Sequence, residues 1–387
     1  TNKADEVVGV LQLINRKNSP DVVLRRPEDF ANNVLPFDES DRAIALALAG
    51  QAGVALENSM LYADIERLFE GFIKASVQAI EARDPTTAGH SFRVADFTER
   101  IAVAADRADA PGLRDVSFTK EQLRELRYAS LLHDFGKVGV RENVLVKAKK
   151  LQPAHLDLLK QRFRYARASL ERRAYRRLLE LHEARNRDAG EFETRRREIE
   201  RELAADRARL DEFLQHVLRA NEPTVSHEQV SAELAAVVTF RFPGEDGEEL
   251  PLLHDFEFAD LALSKGSLNA EERAQIESHV SHTYAFLSLI PWTKNLANLP
   301  AIAFSHHEKL DGSGYPRRLS ADKIPVQSRI MTIADIYDAL TAGDRPYKQG
   351  LPAEKALDIL AAEARAAKID ATLYHVFVES GAWRLKH

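Results

Sequence analysis

A mainly α fold is what this sequence predicts, on three observations. Two long stretches, 41–83 and 155–221, contain no proline and at most three glycines each. Apolar residues within them recur every three or four positions, the spacing that lines one face of a helix. Strand-like text is confined to short runs at 7–15 and 239–253. At 387 residues the chain is long for one compact domain, so two or three units are expected.

Taken in order, Val7 to Asn15 is β-branched and partly alternating, which predicts a strand. Pro20, Pro27 and Pro36 mark a loop, and Phe37-Asp38-Glu39-Ser40-Asp41 supplies helix caps. The helix expected over 41–83 carries Ile65, Leu68, Phe72 and Ala75 on one stripe. At about 1.5 Å per residue it spans about 60 Å, too long for an ordinary core helix, which points to a linker that pairs with a second chain as a homodimer. Between His155 and Asn221, Leu156, Leu159, Phe163, Ala166, Leu170, Leu178 and Leu181 keep helical spacing, as do Phe192 to Val217 after Gly190. This predicts two antiparallel helices turning near Asn186–Gly190. Their sixteen arginines are offset by many acids and are read as a solvated face in preference to a nucleic-acid patch. A small β-hairpin follows in 239–253.

A net charge of −6 gives no general attraction to nucleic acid or anionic membrane. The absence of cysteine excludes disulfides and thiolate metal sites, and it fits a cytoplasmic protein. No run of 18 uncharged apolar residues occurs, so no membrane span is expected. The chain opens at Thr1 without methionine, which implies a fragment or processed chain whose upstream sensor or membrane parts lie outside it.

Chemistry concentrates at His133-Asp134, His306-His307 and Asp335. Imidazole nitrogen and carboxylate oxygen together suit iron, manganese or zinc, and a carboxylate can bridge two ions. Paired ions are a common means of hydrolysing phosphate esters, so the expected function is a metal-dependent phosphodiesterase. Lys137 lies one turn after His133, on its face, where its ammonium would meet an anionic substrate. Gly136 reads as a helix C-terminal breaker. His279 and His282 share a face of a helix expected over Glu271–Leu289, with His279 the preferred ligand. Asp335 sits in the apolar run Ile330–Leu340, so it needs a metal or cation, while Asp338 reads as a structural hydrogen-bonding group. His90 follows Asp84-Pro85-Thr86-Thr87-Ala88-Gly89 at a helix start. Gly312-Ser313-Gly314-Tyr315-Pro316 gives a backbone that can approach a ligand, with a ring for stacking.

In this order, His90, His133-Asp134 with Gly136-Lys137, His279, His306-His307 with Gly312 to Pro316, and Asp335 resemble the HD-GYP family. That is a branch of the HD phosphohydrolases whose usual substrate is the bacterial messenger cyclic di-GMP. The resemblance covers 72–152 and 262–387. It implies an HD-type helical bundle around a two- or three-metal centre, often iron or manganese. It further implies His90, His133, Asp134, His279, His306, His307 and Asp335 as ligands, with Asp134 bridging. Lys137, Arg345 and Lys348 would hold substrate phosphate, and Gly312 and Tyr315 would shape the guanine-side loop. Thr86 stands where three-metal members carry glutamate, which favours two ions, and Val280 stands where proline usually follows the middle histidine. Residues 153–261 are an insertion in the family pattern. Residues 1–60 resemble the C-terminal end of a GAF domain, a sensor remnant from which the 41–83 helix would relay state. Cyclic GMP-AMP as substrate, a non-catalytic nucleotide receptor, and a nucleic-acid binder using the arginine-rich helices are the alternative readings.

Overall fold

A computed structural model describes residues 6–84, 88–114, 116–184, 189–343 and 350–384. The chain divides into two units, Thr1–Ser76 and Val77–His387. In the first, a short helix α1 (Pro27–Asn33) precedes the 43-residue α2 (Glu39–Glu81), which continues into the second unit. Asp38 starts α2 by accepting hydrogen bonds from the Ser40 and Asp41 amides. The strand expected at 7–15 does not form. Lys17 and Val34 make an isolated bridge, but no described segment pairs with 7–15, and Val7, Val10 and Ile14 are exposed. Side-chain pattern alone cannot supply the ladder partner that a strand requires. In α2, Ile44, Leu46, Val54, Met60, Ile65 and Leu68 are all exposed. By length and composition, α2 is the one described helix able to cross a membrane, although Glu57 interrupts its apolar run.

The second unit begins with α3 (His90–Asp106), α4 (Lys120–Leu132) and α5 (Glu142–Leu145). Then come the long helices α6 (Pro153–Glu183) and α7 (Ala189–Ala220), α8 (His227–Thr239) and α9 (Asp255–Leu261). It ends with α10 (Ala270–Glu277), α11 (His279–Leu287), α12 (Leu299–Phe304), α13 (Val326–Thr341), α14 (Ala353–Arg365) and α15 (Ala371–Glu379). Two strands, β1 (Arg241–Pro243) and β2 (Glu249–Pro251), form an antiparallel hairpin between α8 and α9. Helix α3 packs between α4 and α13, burying Val94, Ile101, Leu126, Ile330 and Ile333. Phe97, Tyr337 and Phe377 meet edge to face, tying α15 to this core.

Helices α6 and α7 run antiparallel in a fixed register. Arg173 pairs with Asp206, Arg177 with Glu202 and Arg207 with Glu171. The apolar core beneath them is drawn entirely from 151–261: Leu159, Phe163 and Leu170 of α6 meet Leu210, Phe213 and Val217 of α7, Leu234 of α8 and Phe242 of β1.

Candidate metal centre

His90 is the first residue of α3, and the loop before it is held by Glu81, whose carboxylate accepts the Gly89 and Ser91 amides. His133 ends α4, and Asp134 opens the 3-10 turn Phe135–Gly139 that carries Lys137. His279 is the first residue of α11, His306 and His307 follow α12, and Asp335 and Asp338 lie within α13. The fold brings His90, His133, Asp134, His279, His306, His307 and Asp335 to one place. His90 Nε2 lies 3.3 Å from Asp335 Oδ1 and 3.7 Å from Asp134 Oδ2. His279 Nε2 is 3.3 Å from Asp134 Oδ1, His133 Nε2 is 3.5 Å from Asp134 Oδ2, and His307 Nδ1 is 3.8 Å from Asp335 Oδ2. Three overlapping triads, His279–His306–His307, His90–His133–Asp335 and His133–Asp134–His306, could each hold an ion, their ligand atoms lying within 4.8 Å of one another.

The hydrogen bonds behind these rings decide what they offer. Nδ1 of His133, His279 and His306 each lies 2.6 Å from the carbonyl oxygen three residues earlier, of Ser130, Ile276 and Ala303. A carbonyl only accepts, so each Nδ1 carries the proton and each Nε2 presents a lone pair to the centre. All three Nε2 atoms are buried without a hydrogen-bond partner. A buried polar atom left unpaired costs about 1–3 kcal/mol, and each of these three residues belongs to a triad of close ligand atoms, an arrangement a cation satisfies. The residues fit a metal site.

Charge agrees with this. Burial, reinforced by the neighbouring histidines, depresses His306 well below the usual histidine range. Burial likewise lowers His307 to about 3, despite Asp335, and lowers His279 despite Asp134. His90 differs: burial opposes its charge, but hydrogen bonds to Asp335 and Asp338 outweigh that and raise it to about 9. Burial disfavours charge on Asp134 and Asp335 too. It is outweighed at Asp134 by Lys137 and the histidines, and at Asp335 by the His90 hydrogen bond and His307, so both stay ionised. Lys137 is also buried, yet Asp134 at 2.9 Å and Asp84 at 3.4 Å raise its pKa and keep it an ammonium.

Several supporting residues carry no motif. The Thr283 hydroxyl donates to the His133 carbonyl and accepts the Gly136 amide, joining α11 to the metal-facing turn. Buried Glu308 accepts the Arg317 and Leu319 amides at 2.8 Å each, fixing the 309–319 loop, where Gly312 has φ of +78°. Asp338 accepts from Arg93 at 2.7 Å and lies 2.7 Å from His90 Nδ1, so it orients that ring. Thr283 was detectable as the residue one turn beyond His279; Glu308 had no signal beyond its place after His307.

Two sequence expectations need correction. Gly136 is not a left-handed helix cap. A Cβ there would stand 1.9 Å from the His279 carbonyl oxygen, so glycine is needed for the close approach of α11. The helix expected over Glu271–Leu289 breaks at Ser278 into α10 and α11; His279 faces the cluster, while exposed His282 lies against Gly139. Arg345, Lys348 and Thr86 lie outside the described residues. A cavity of about 190 Å³ opens over the cluster, lined by His90, Asp134, Lys137, Ile276, His307 and Tyr315 among others. A larger open groove, about 1050 Å³, runs along α3 near Ser380–Arg384. It contains no histidine, and its Asp96 and Glu99 already pair with Arg127, so the chemistry belongs to the smaller cavity.

Comparison with known proteins agrees. HD domain families match residues 87–210 and 257–373, and between them these ranges contain every residue of the cluster. The chain is an HD-domain protein. Among relatives, the 3'3'-cGAMP-specific phosphodiesterase 3 of Vibrio cholerae is 42% identical over 113 residues, 28% of this chain and 24% of that protein. A cyclic di-GMP phosphodiesterase of Thermotoga maritima is 39% identical over 97 residues, 25% of this chain and 26% of its own length. The cyclic di-GMP phosphodiesterase response regulator RpfG of Xanthomonas campestris is 37% identical over 101 residues, 26% of each. The chain thus spans about a quarter of the length of these curated relatives.

Proposed function

We propose that this HD-domain protein is of the HD-GYP branch, a metal-dependent phosphodiesterase that adds water across a phosphodiester of cyclic di-GMP, giving linear pGpG and then GMP. The observation that carries the reading is the convergence of three buried, unpartnered Nε2 atoms on two buried carboxylates. His90, His133, Asp134, His279, His306, His307 and Asp335 would hold two divalent ions, iron or manganese, with Asp134 bridging. Such ions, when bound, supply an activated water and neutralise charge on the phosphoryl group. The chain's own groups do the rest. Lys137, fixed by Asp84 and Asp134, donates to a phosphoryl oxygen, and its position between two acids keeps it protonated through neutral pH. Asp338 holds His90 in place from behind. Tyr315, its ring 4.7 Å from that of His307, walls the cavity.

Two further parts of the proposal rest on the first unit. The exposed apolar surface of α2 pairs with a second copy, making a homodimer. Residues 1–60, read as the remnant of a sensor, regulate the reaction through α2, and the chain acts in the cytoplasm with its substrate. Light scattering that gives a monomer at all concentrations would remove the relay.

The test of function is anaerobic turnover of cyclic di-GMP by freshly purified protein, with metal content measured on the same sample. Turnover with about two iron or manganese ions per chain, lost in His133→Ala/Asp134→Ala, is expected. A filled centre with no turnover of cyclic di-GMP would refute the substrate, and parallel assay of 3'3'-cGAMP would show whether that dinucleotide replaces it.

A further inference from the structure

The cavity over the cluster, about 190 Å³, is smaller than the roughly 300–1,000 Å³ of sites that enclose a drug-sized ligand. A cyclic dinucleotide therefore places one phosphodiester inside and leaves its bases on the rim. Helix α10 forms one side of that rim, because Ile276 lines the cavity beside His279 and Tyr315. Arg273 and Glu277 flank Ile276 on the same helix. An arginine and a glutamate four residues apart on a helix ordinarily pair. Their side chains form no ion pair or hydrogen bond with each other or with any described residue, although Glu272 beside them both pairs with Lys147 and caps the helix. Their charges do reach Tyr315, across the rim. Burial raises the pKa of its hydroxyl most, Asp335 and Glu277 push it further up, and Arg273 opposes them.

A carboxylate with no partner among the described residues, beside a site for a doubly anionic substrate, is unfavourable unless it faces hydrogen-bond donors. Guanine supplies them: N1–H and the N2 amino group lie on one edge and match a carboxylate. Its O6 and N7 acceptors match the fork of a guanidinium. Adenine places an amino donor where guanine has O6 and has no N1–H, so it can meet either group through one hydrogen bond but neither through two.

We propose that Arg273 and Glu277 form a purine-reading rim that selects guanine over adenine in the bound cyclic dinucleotide. This rests on the phosphodiesterase reading, and the test separates the two. Binding of slowly hydrolysed phosphorothioate analogues of cyclic di-GMP and cyclic di-AMP is measured by calorimetry on metal-loaded wild-type protein, Glu277→Gln and Arg273→Ala. Turnover of cyclic di-GMP is followed separately. The wild type is expected to prefer the guanine analogue by about tenfold or more, and each variant to lose most of that preference at unchanged metal content and melting temperature. A merely structural role would weaken both analogues together and leave their ratio alone. An unchanged ratio in both variants overturns the proposal, as does a wild type that binds both analogues equally. Guanine preference carried by these residues without turnover would uphold the rim and refute the hydrolytic reading instead.

Discussion

Metal uptake should displace one proton, and His90 is its source. In the metal-free protein its pKa stands at about 9, because Asp335 and Asp338 outweigh the burial that would lower it. His279, His306 and His307 are shifted the other way and have no proton to lose at pH 7. Nδ1 of His90 stays bonded to Asp338, so the proton that must leave is the one on Nε2, which faces Asp335 and Asp134. Removing a proton at pH 7 from a group titrating near 9 costs about 2.7 kcal/mol, roughly a hundredfold in affinity. Because the metal-free state binds the extra proton, affinity rises with pH, about tenfold per unit up to about pH 9, then levels off. Stability of the metal-free fold moves oppositely. The raised pKa stabilises it fully below about pH 6.5, and that contribution, about 3 kcal/mol, is lost as pH climbs through 9. Anaerobic calorimetry with Mn²⁺, in buffers of different ionisation heat between pH 6.5 and 8.5, counts the protons directly. At pH 7 the wild type is expected to release about one proton more per chain than His90→Ala, because any proton lost from metal-held water is common to both. Equal release by the two proteins, or an affinity flat with pH, would refute the reasoning.

Three other substitutions probe the supports. Asp338→Asn keeps the shape but removes the charge behind His90 and beside Arg93, and should weaken metal binding about 10–100-fold while lowering the melting temperature of the metal-free protein. Gly136→Ala sets a methyl against the His279 carbonyl; it should cost about 3 kcal/mol or more and lower metal content, read by thermal unfolding and elemental analysis. Lys150→Met tests a lysine buried without a carboxylate partner, whose Nζ donates to the carbonyls of Val225, Leu261 and Leu263 at 2.8–3.0 Å. Leaving those oxygens unpaired should cost about 2–4 kcal/mol in urea unfolding, while a preparation loaded with metal keeps its ions.

The long helices were legible because each shows a solvent face and an apolar face at a constant interval, as with Leu159, Phe163 and Leu170. The cluster was legible for a different reason: its histidines and aspartates are chemically scarce and stand in a recurring order. Residues acting through the backbone left no such trace. Thr283 and Glu308 matter because of three amides and a carbonyl in segments remote from them or looped back on them, and no local spacing encodes those contacts. Gly136 was noticed for its flexibility, whereas its value lies in the missing Cβ facing α11. The run at 7–15 had strand composition without a partner, which is a property of the rest of the chain.

The segment between Leu151 and Leu261 leaves and rejoins the rest of the second unit at one point. The Lys150 amide and the Leu151 amide both bond to Asn221 at the end of α7, while the Lys150 ammonium clasps the chain as it comes back at Leu261 and Leu263. Ends held this close ask little of the bundle, whatever the length between them. The junction is not inert, however. Buried Lys147 pairs with Glu272 at 2.6 Å and lies 3.7 Å from Asp260 of α9, and Gln152 at the head of α6 also reaches Glu272. Glu272 in turn accepts the Asn269 amide to start α10, the helix that carries Arg273, Ile276 and Glu277 and ends two residues before His279. Movement of α6 or α9 therefore acts first on Glu272 and through it on the cavity rim. His279 lies on the same route, because its Nδ1 bonds to the Ile276 carbonyl of α10 at 2.6 Å. An event at the far end of the helical hairpin that moved α10 would accordingly alter substrate affinity and metal binding together.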